Sequence, residues 1–74
     1  MFVAEMECRG KQEWPELVGS NAEDAKEVIE SENMYVIGII LPKGTIVTTD
    51  YNCRRVWIFV ESDTANVAYV PKVG

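Results

Sequence analysis

Apolar positions recur along this chain in two different rhythms. Between Asn21 and Asn33, the residues Ala22, Ala25, Val28 and Ile29 fall three and four apart, the period that lines one stripe of a helix. Glu23, Lys26, Glu27 and Glu30 occupy the other side. The pattern predicts an amphipathic helix from Ala22 to Ser31 or Glu32. Asn21 fits its N-cap, Glu23 and Asp24 place negative charge in its first turn, and Asn33 fits its C-cap. Beyond the helix the rhythm changes. Tyr35 to Leu41 is almost wholly apolar, as in a strand covered on both faces or one in a parallel pair. Arg54 to Val60 alternates, with Val56, Ile58 and Val60 on one face and Arg55, Trp57 and Phe59 on the other. The first set is expected to face the helix. Glu61 to Asn66 reads as a turn, and Val67 to Val70 as a short final strand stopped by Pro71. One helix packed on a small mixed sheet is the simplest layered solution, an α+β fold.

Upstream of the helix, Trp14-Pro15-Glu16-Leu17-Val18-Gly19 combines an extended Trp-Pro step with apolar contacts and a glycine break. Trp14 is read as a core anchor, with Leu17 and Val18 adding contacts. Between the two strong strands lies Pro42 to Cys53. It opens on a Pro-Lys-Gly turn signal and ends on a cysteine. Its middle, Thr45-Ile46-Val47-Thr48-Thr49, is a run of β-branched residues. Ordinary loops favour Gly, Ser, Asn and Pro; β-branched residues are stiff and favour extended backbone. The expectation is a long, stiffened, extended loop offered to a partner.

Composition narrows the partner. The 74 residues make a single domain, 1–74, of ordinary globular composition, with residues 1–7 expected to form a flexible tail. A net charge of -5 disfavours nucleic acid and anionic membrane surfaces. No apolar run approaches the ~20 residues of a membrane span. No histidine is present, which excludes Ser-His-Asp and Cys-His catalysis within the chain and the commonest zinc ligands. Two cysteines outside a C-x-x-C arrangement do not make a metal site alone. No phosphate-binding glycine pattern occurs. The helix carboxylates read as a solvated face. No cofactor, no metal and no enzymatic activity are expected.

The residues Trp14-Pro15-Glu16-Leu17-Val18-Gly19, Ala25-Lys26, Val28-Ile29, Leu41-Pro42-x-Gly44-Thr45-Ile46-Val47-Thr48, Arg55-Val56-x-Ile58-Phe59-Val60 and Val70-Pro71-x-Val73-Gly74 resemble, in order and spacing, the potato inhibitor I family of serine protease inhibitors. The resemblance runs from Trp14 to Gly74. It implies a reversible, substrate-like inhibitor whose reactive bond is Thr49-Asp50, with Ile46, Val47, Thr48, Thr49, Asp50 and Tyr51 contacting the protease. It also implies that arginines on the following strand brace Thr48 and Asp50. Arg55 matches one of them, and an Arg-carboxylate contact to Asp50 could be bidentate. The second arginine of the family falls at Trp57, a departure that touches both the brace and the family's contact to the C-terminal residue, here Gly74. Arg54 points to the other face and is not expected to substitute.

Cys8 and Cys53 resemble a subset of the family in which a disulfide ties the N-terminal segment to the end of the loop. Thr49 suits neither trypsin's acidic pocket nor chymotrypsin's large apolar slot. Subtilisin-type proteases are therefore expected first and elastase-type second, with weak action on trypsin and chymotrypsin. The alternative is a non-inhibitory interaction domain that keeps the fold. A monomer is expected. The bridge, if formed, favours an extracellular or vacuolar location; the lack of a recognisable leader leaves a cytoplasmic one open.

Overall fold

A computed structural model describes residues 8–74; the expected tail, 1–7, lies outside the described residues. A 3-10 turn at Pro15–Leu17 precedes helix α1, Ala22–Glu32. Strands β1, Ile37–Pro42, β2, Arg55–Val60, and β3, Lys72–Val73, follow. They form one sheet in the order β1-β2-β3. β1 and β2 run parallel, with Ile37 opposite Arg55 and Pro42 opposite Val60. β2 and β3 run antiparallel. The sheet is thus mixed, with one helix on one face.

The helix begins and ends where its caps allow. The Asn21 Oδ1 accepts from the Glu23 and Asp24 amides at 2.9 and 3.2 Å. At the other end Asn33 is buried and fully used. Its amide donates to the Ile29 carbonyl. Its side chain donates to the Arg9 and Lys11 carbonyls at 2.8 and 2.9 Å and accepts from the Tyr35 amide at 2.9 Å. One C-terminal cap therefore also clasps the N-terminal segment. Ala22, Ala25 and Ile29 turn inward against Val56, Ile58 and Val60, with Trp14, Leu17, Val36, Val67 and Val73 completing the core. Trp14 is the anchor expected, and its indole N–H donates to Glu32 at 2.9 Å. Val18, by contrast, is exposed; only Leu17 of that pair enters the core.

One expectation is resolved to the second of its two alternatives, and one changes. The apolar run at β1 reflects parallel pairing rather than cover on both faces. Gly38 is buried beneath the helix, while Ile37 and Ile39 are exposed on the outer face. β1 is also an edge strand, so the long connection joins an edge to the central strand β2. The final strand is displaced as well. Val67 makes only an isolated bridge to Val60, and the Ala68 amide donates to the Phe59 carbonyl at 2.7 Å. The chain then bends, and β3 forms beyond Pro71 rather than before it. Pro71 has no N–H for a ladder, but its carbonyl accepts from the Trp14 amide at 3.0 Å. The N-terminal segment thus runs beside β3, with Glu13 bridged to Lys72, while β3 itself pairs with β2.

Parallel pairing has one further consequence. A two-residue hairpin cannot join parallel strands; the chain must travel back along the whole sheet, which takes a dozen or more residues. That return path is the segment 43–54. Its length follows from the topology, and no helix fills it.

Candidate functional site

The 43–54 segment is anchored at both roots. At its start the Lys43 amide donates to the Val60 carbonyl at 2.8 Å, and the Thr45 amide to the Pro42 carbonyl at 3.2 Å. The Thr45 hydroxyl donates to the same oxygen at 2.6 Å. Gly44 sits at φ 88°, a conformation this tight turn leaves to glycine. At its end the Asn52 side chain accepts from the Arg54 amide at 2.8 Å, and the Asn52 carbonyl from the Arg55 amide at 3.2 Å. Between the roots, Thr45 to Asn52 form no regular secondary structure. Ile46 is 95% exposed, and Thr48, Thr49, Asp50 and Tyr51 are also exposed, with Val47 half-buried. An isoleucine held almost wholly in water contributes nothing to the core and is free for a partner.

Arg55, the first residue of β2, organises the underside of the loop. Its Nε donates to the Gly74 oxygen at 2.7 Å, and its Nη2 to the Asp50 main-chain carbonyl at 2.7 Å. The Asp50 carboxylate lies 3.6 Å from the same nitrogen. The bidentate carboxylate contact that the resemblance suggested is therefore replaced. The planar fork has one edge committed to Gly74, so its remaining arm takes the nearer main-chain oxygen, and the carboxylate contributes at longer range. The Gly74 amide donates back to the Arg55 carbonyl at 2.9 Å. The contact to Gly74, which the missing second arginine put in question, is made by Arg55 itself.

Trp57 lies beside this guanidinium. The Arg55 Cζ stands 4.5 Å from the centre of its ring, within reach of a cation–π contact. Trp57 thus lies against the brace with its ring face and offers no charge to the loop. Arg54 is exposed and forms no ion pair among the described residues. The Asp50 carboxyl is held below its ordinary range, first by the hydroxyl of Thr48 and then by the charge of Arg55.

A Cys8–Cys53 disulfide, with Cα atoms 5.0 Å apart, closes the far end of the loop. Tyr51 connects this bridge to the brace. Its hydroxyl lies 3.4 Å from the Cys8 sulfur, and its ring packs on Gly74, where an added Cβ would stand 3.4 Å from Cε1. Sequence reading missed this inward role of Tyr51, since nothing in the local pattern marks it. Thr49, by contrast, has no side-chain hydrogen bond among the described residues, so its side chain is left to solvent. Among the described residues there is no cluster of metal-ligating side chains, and no helix is long and apolar enough to cross a membrane.

Residues 6–74 match the sequence profile of the Potato inhibitor I family. The chain belongs to that family. Among its relatives is the "Wound-induced proteinase inhibitor 1" of Solanum tuberosum, 44% identical over 70 residues. That match covers 93% of this chain and 64% of the potato protein, so the chain spans just under two thirds of that relative's length. The "Trypsin/subtilisin inhibitor" of Amaranthus caudatus is 46% identical over 67 residues, covering 90% of this chain and 96% of the relative. The crystal structure of bitter gourd trypsin inhibitor superposes with a TM-score of 0.87 at 43% identity, covering 92% of this chain and 98% of that one. These relatives are named as inhibitors of proteinases and not as enzymes. The helix on a small mixed sheet is the fold that the family shares.

Proposed function

We propose that this chain is a reversible, substrate-like inhibitor of serine proteases with Thr49-Asp50 as its reactive bond. The observation that carries the reading is the tether of Asp50. Arg55 holds its carbonyl at 2.7 Å while bound to Gly74, on an otherwise exposed loop. The protease serine attacks the Thr49 carbonyl, and the amine of Asp50 is the leaving group. In a true substrate that amine diffuses away. Here Arg55 and the Cys8–Cys53 bridge keep the Asp50 side in place, so the amine remains beside the acyl-enzyme and the bond re-forms. This chain supplies no catalytic group; the reacting serine and its oxyanion donors belong to the protease.

Ile46, Val47, Thr48, Thr49, Asp50 and Tyr51 then present an extended strand to the protease cleft. Thr49 enters the primary pocket. It is small and β-branched, which favours subtilisin-type proteases, where strand pairing dominates, and then elastase-type ones with small pockets. The name of the amaranth relative agrees with a subtilisin among the targets.

The test is titration of the chain against a subtilisin, an elastase, a trypsin and a chymotrypsin. Stoichiometric inhibition in that order of strength is expected. Rapid, complete cleavage at Thr49-Asp50 without inhibition would instead mark an ordinary substrate, and no binding at all would leave an interaction domain that keeps the fold. Thr49→Lys is expected to create trypsin inhibition while leaving the fold intact. A folded Thr49→Lys variant inert toward trypsin rules out the assigned bond.

A further inference from the structure

The helix covers only one face of the sheet. On the other face the register sets Ile39, Trp57 and Lys72 side by side across the three strands. Phe59 lies next along β2 and leans on Tyr69, with ring centroids 5.8 Å apart and planes tilted by 58°. Trp57, Phe59, Tyr69, Val70 and Lys72 line an open groove of about 420 Å³, within the size range of small-ligand sites. Nothing in the inhibitory reading uses it.

The groove's chemistry is asymmetric. Four of its five lining residues are apolar or aromatic, and the fifth is a cation. Lys72 is exposed and forms no ion pair among the described residues. Glu13 stands opposite it across an isolated bridge without pairing with it. The ionic groups that β1, β2 and β3 place on this face are the cations Arg55 and Lys72, with Glu13 of the N-terminal segment beside Lys72 on the side away from β2, in a molecule whose net charge is -5. A second copy of the chain is a poor occupant. Face-to-face packing would bring together two bodies of the same net charge.

We propose that this groove binds a small amphipathic anion, an aryl-alkyl carboxylate in its simplest form. The ring lies among Trp57, Phe59 and Tyr69, where aromatic contact and apolar burial supply the attraction. The carboxylate points to the Lys72 ammonium. An exposed ion pair contributes little, so the lysine orients the ligand and discriminates by charge while the aromatic walls provide most of the binding. A ligand this size in an open groove binds weakly, with Kd on the order of 1 mM.

The experiment is a titration of the whole chain with 4-phenylbutyrate and, separately, with the neutral 4-phenylbutyramide, followed by backbone amide NMR shifts. Lys72→Gln and Tyr69→Ala are examined in the same way. Both replace exposed side chains outside the core, and each variant's spectrum reports its folding. The expected result is saturable binding with shifts clustered at Trp57, Phe59, Tyr69, Val70 and Lys72. The acid binds about threefold to tenfold more tightly than the amide. Lys72→Gln removes that preference, and Tyr69→Ala weakens both ligands several-fold. Shifts that fail to saturate, shifts centred elsewhere on the molecule, or equal affinity of acid and amide for the unaltered chain would overturn the proposal. None of these readouts involves a protease, so the result stands apart from the function of the loop.

Discussion

Arg55 makes several contacts from one position. Its guanidinium joins the loop at Asp50, the last residue at Gly74 and the ring of Trp57, and its side chain is only 14% exposed. Lysine carries the same charge but lacks the planar fork, so it cannot reach Gly74 and Asp50 together. Hydrogen bonds from a charged group contribute roughly 1.5–3 kcal/mol each. If the loop is the inhibitory site, Arg55→Lys weakens inhibition by about tenfold to a hundredfold and speeds cleavage of Thr49-Asp50. Inhibition constants and mass spectrometry of the recovered inhibitor measure the two effects. Asp50 offers a second check. Its carboxyl is depressed in the folded chain, so the charged form contributes at any pH above the ordinary aspartate range. That contribution fades only as pH falls through the lower, folded value. The loop brace is therefore expected to be insensitive to pH from neutral down through the ordinary carboxylate range and to weaken below it. Because the Thr48 hydroxyl is the leading cause, Thr48→Ala should raise the Asp50 midpoint in an NMR titration. An unmoved midpoint would show that Thr48 does not act on Asp50.

At the scale of elements, the loop is long because β1 and β2 are parallel, and it holds its shape because both of its ends are tied. The Cys8–Cys53 bridge spans 45 positions. Chain-entropy arguments put its contribution at roughly 4 kcal/mol or less. Reduction, or Cys8→Ser with Cys53→Ser, is expected to lower the unfolding free energy by about 2–4 kcal/mol, read as a lower urea midpoint with a somewhat steeper slope, since the unfolded chain then exposes more surface. Under the inhibitory reading it also increases cleavage of the loop, since Cys53 then no longer pins its far end. Helix α1 depends on a smaller device. Asn21→Ala removes the acceptor for two amides and should cost about 1 kcal/mol, a few degrees in Tm for a domain of this size. Gly38 marks where the helix comes closest to the sheet. An added Cβ would meet the Ile58 Cδ1 at 2.8 Å and the Lys26 Cγ at 3.2 Å, so the absence of a side chain lets α1 settle on β1. Glu30 uses the same proximity, accepting from the Gly38 amide at 2.9 Å and from Lys26 at 2.6 Å. Those two donors, Lys26 foremost, hold its carboxyl below the usual range.

In the whole molecule the reactive bond and the bridge have a joint consequence. Hydrolysis of Thr49-Asp50 would leave two segments, one ending at Thr49 and one beginning at Asp50. Cys8 lies in the first and Cys53 in the second, and β1 of the first pairs with β2 of the second. A chain cut at that bond is expected to stay one species in non-reducing gel electrophoresis and to separate into two only after reduction. Two bands without reduction would place the cut, or the bridge, elsewhere. Much of this organisation was open to inspection in the linear chain. Helix α1, its Asn21 cap, the inward set Val56, Ile58 and Val60, and the core position of Trp14 all follow from short-range periodicity and capping chemistry, which depend on neighbours three or four residues away. The final strand, β3, was misplaced because Lys72–Val73 finds its partners far away in sequence, at Val56–Trp57 of β2 and at Glu13 on its other side. The same holds for the loop. β-branched stiffness and the match of motifs marked Pro42 to Cys53 as an extended loop between strands. The resemblance named Arg55 and the Cys8–Cys53 bridge as its supports, but the atoms through which Arg55 holds it were decided only by folding. Arg55 took Gly74 because β2 and the end of the chain meet in space, and its second arm fell to the Asp50 carbonyl because a planar fork has a fixed reach. Tyr51 turned toward Cys8 because the bridge brought that sulfur beside it. Local propensity is written along the chain, whereas these contacts join residues whose distances exist only once the core has closed.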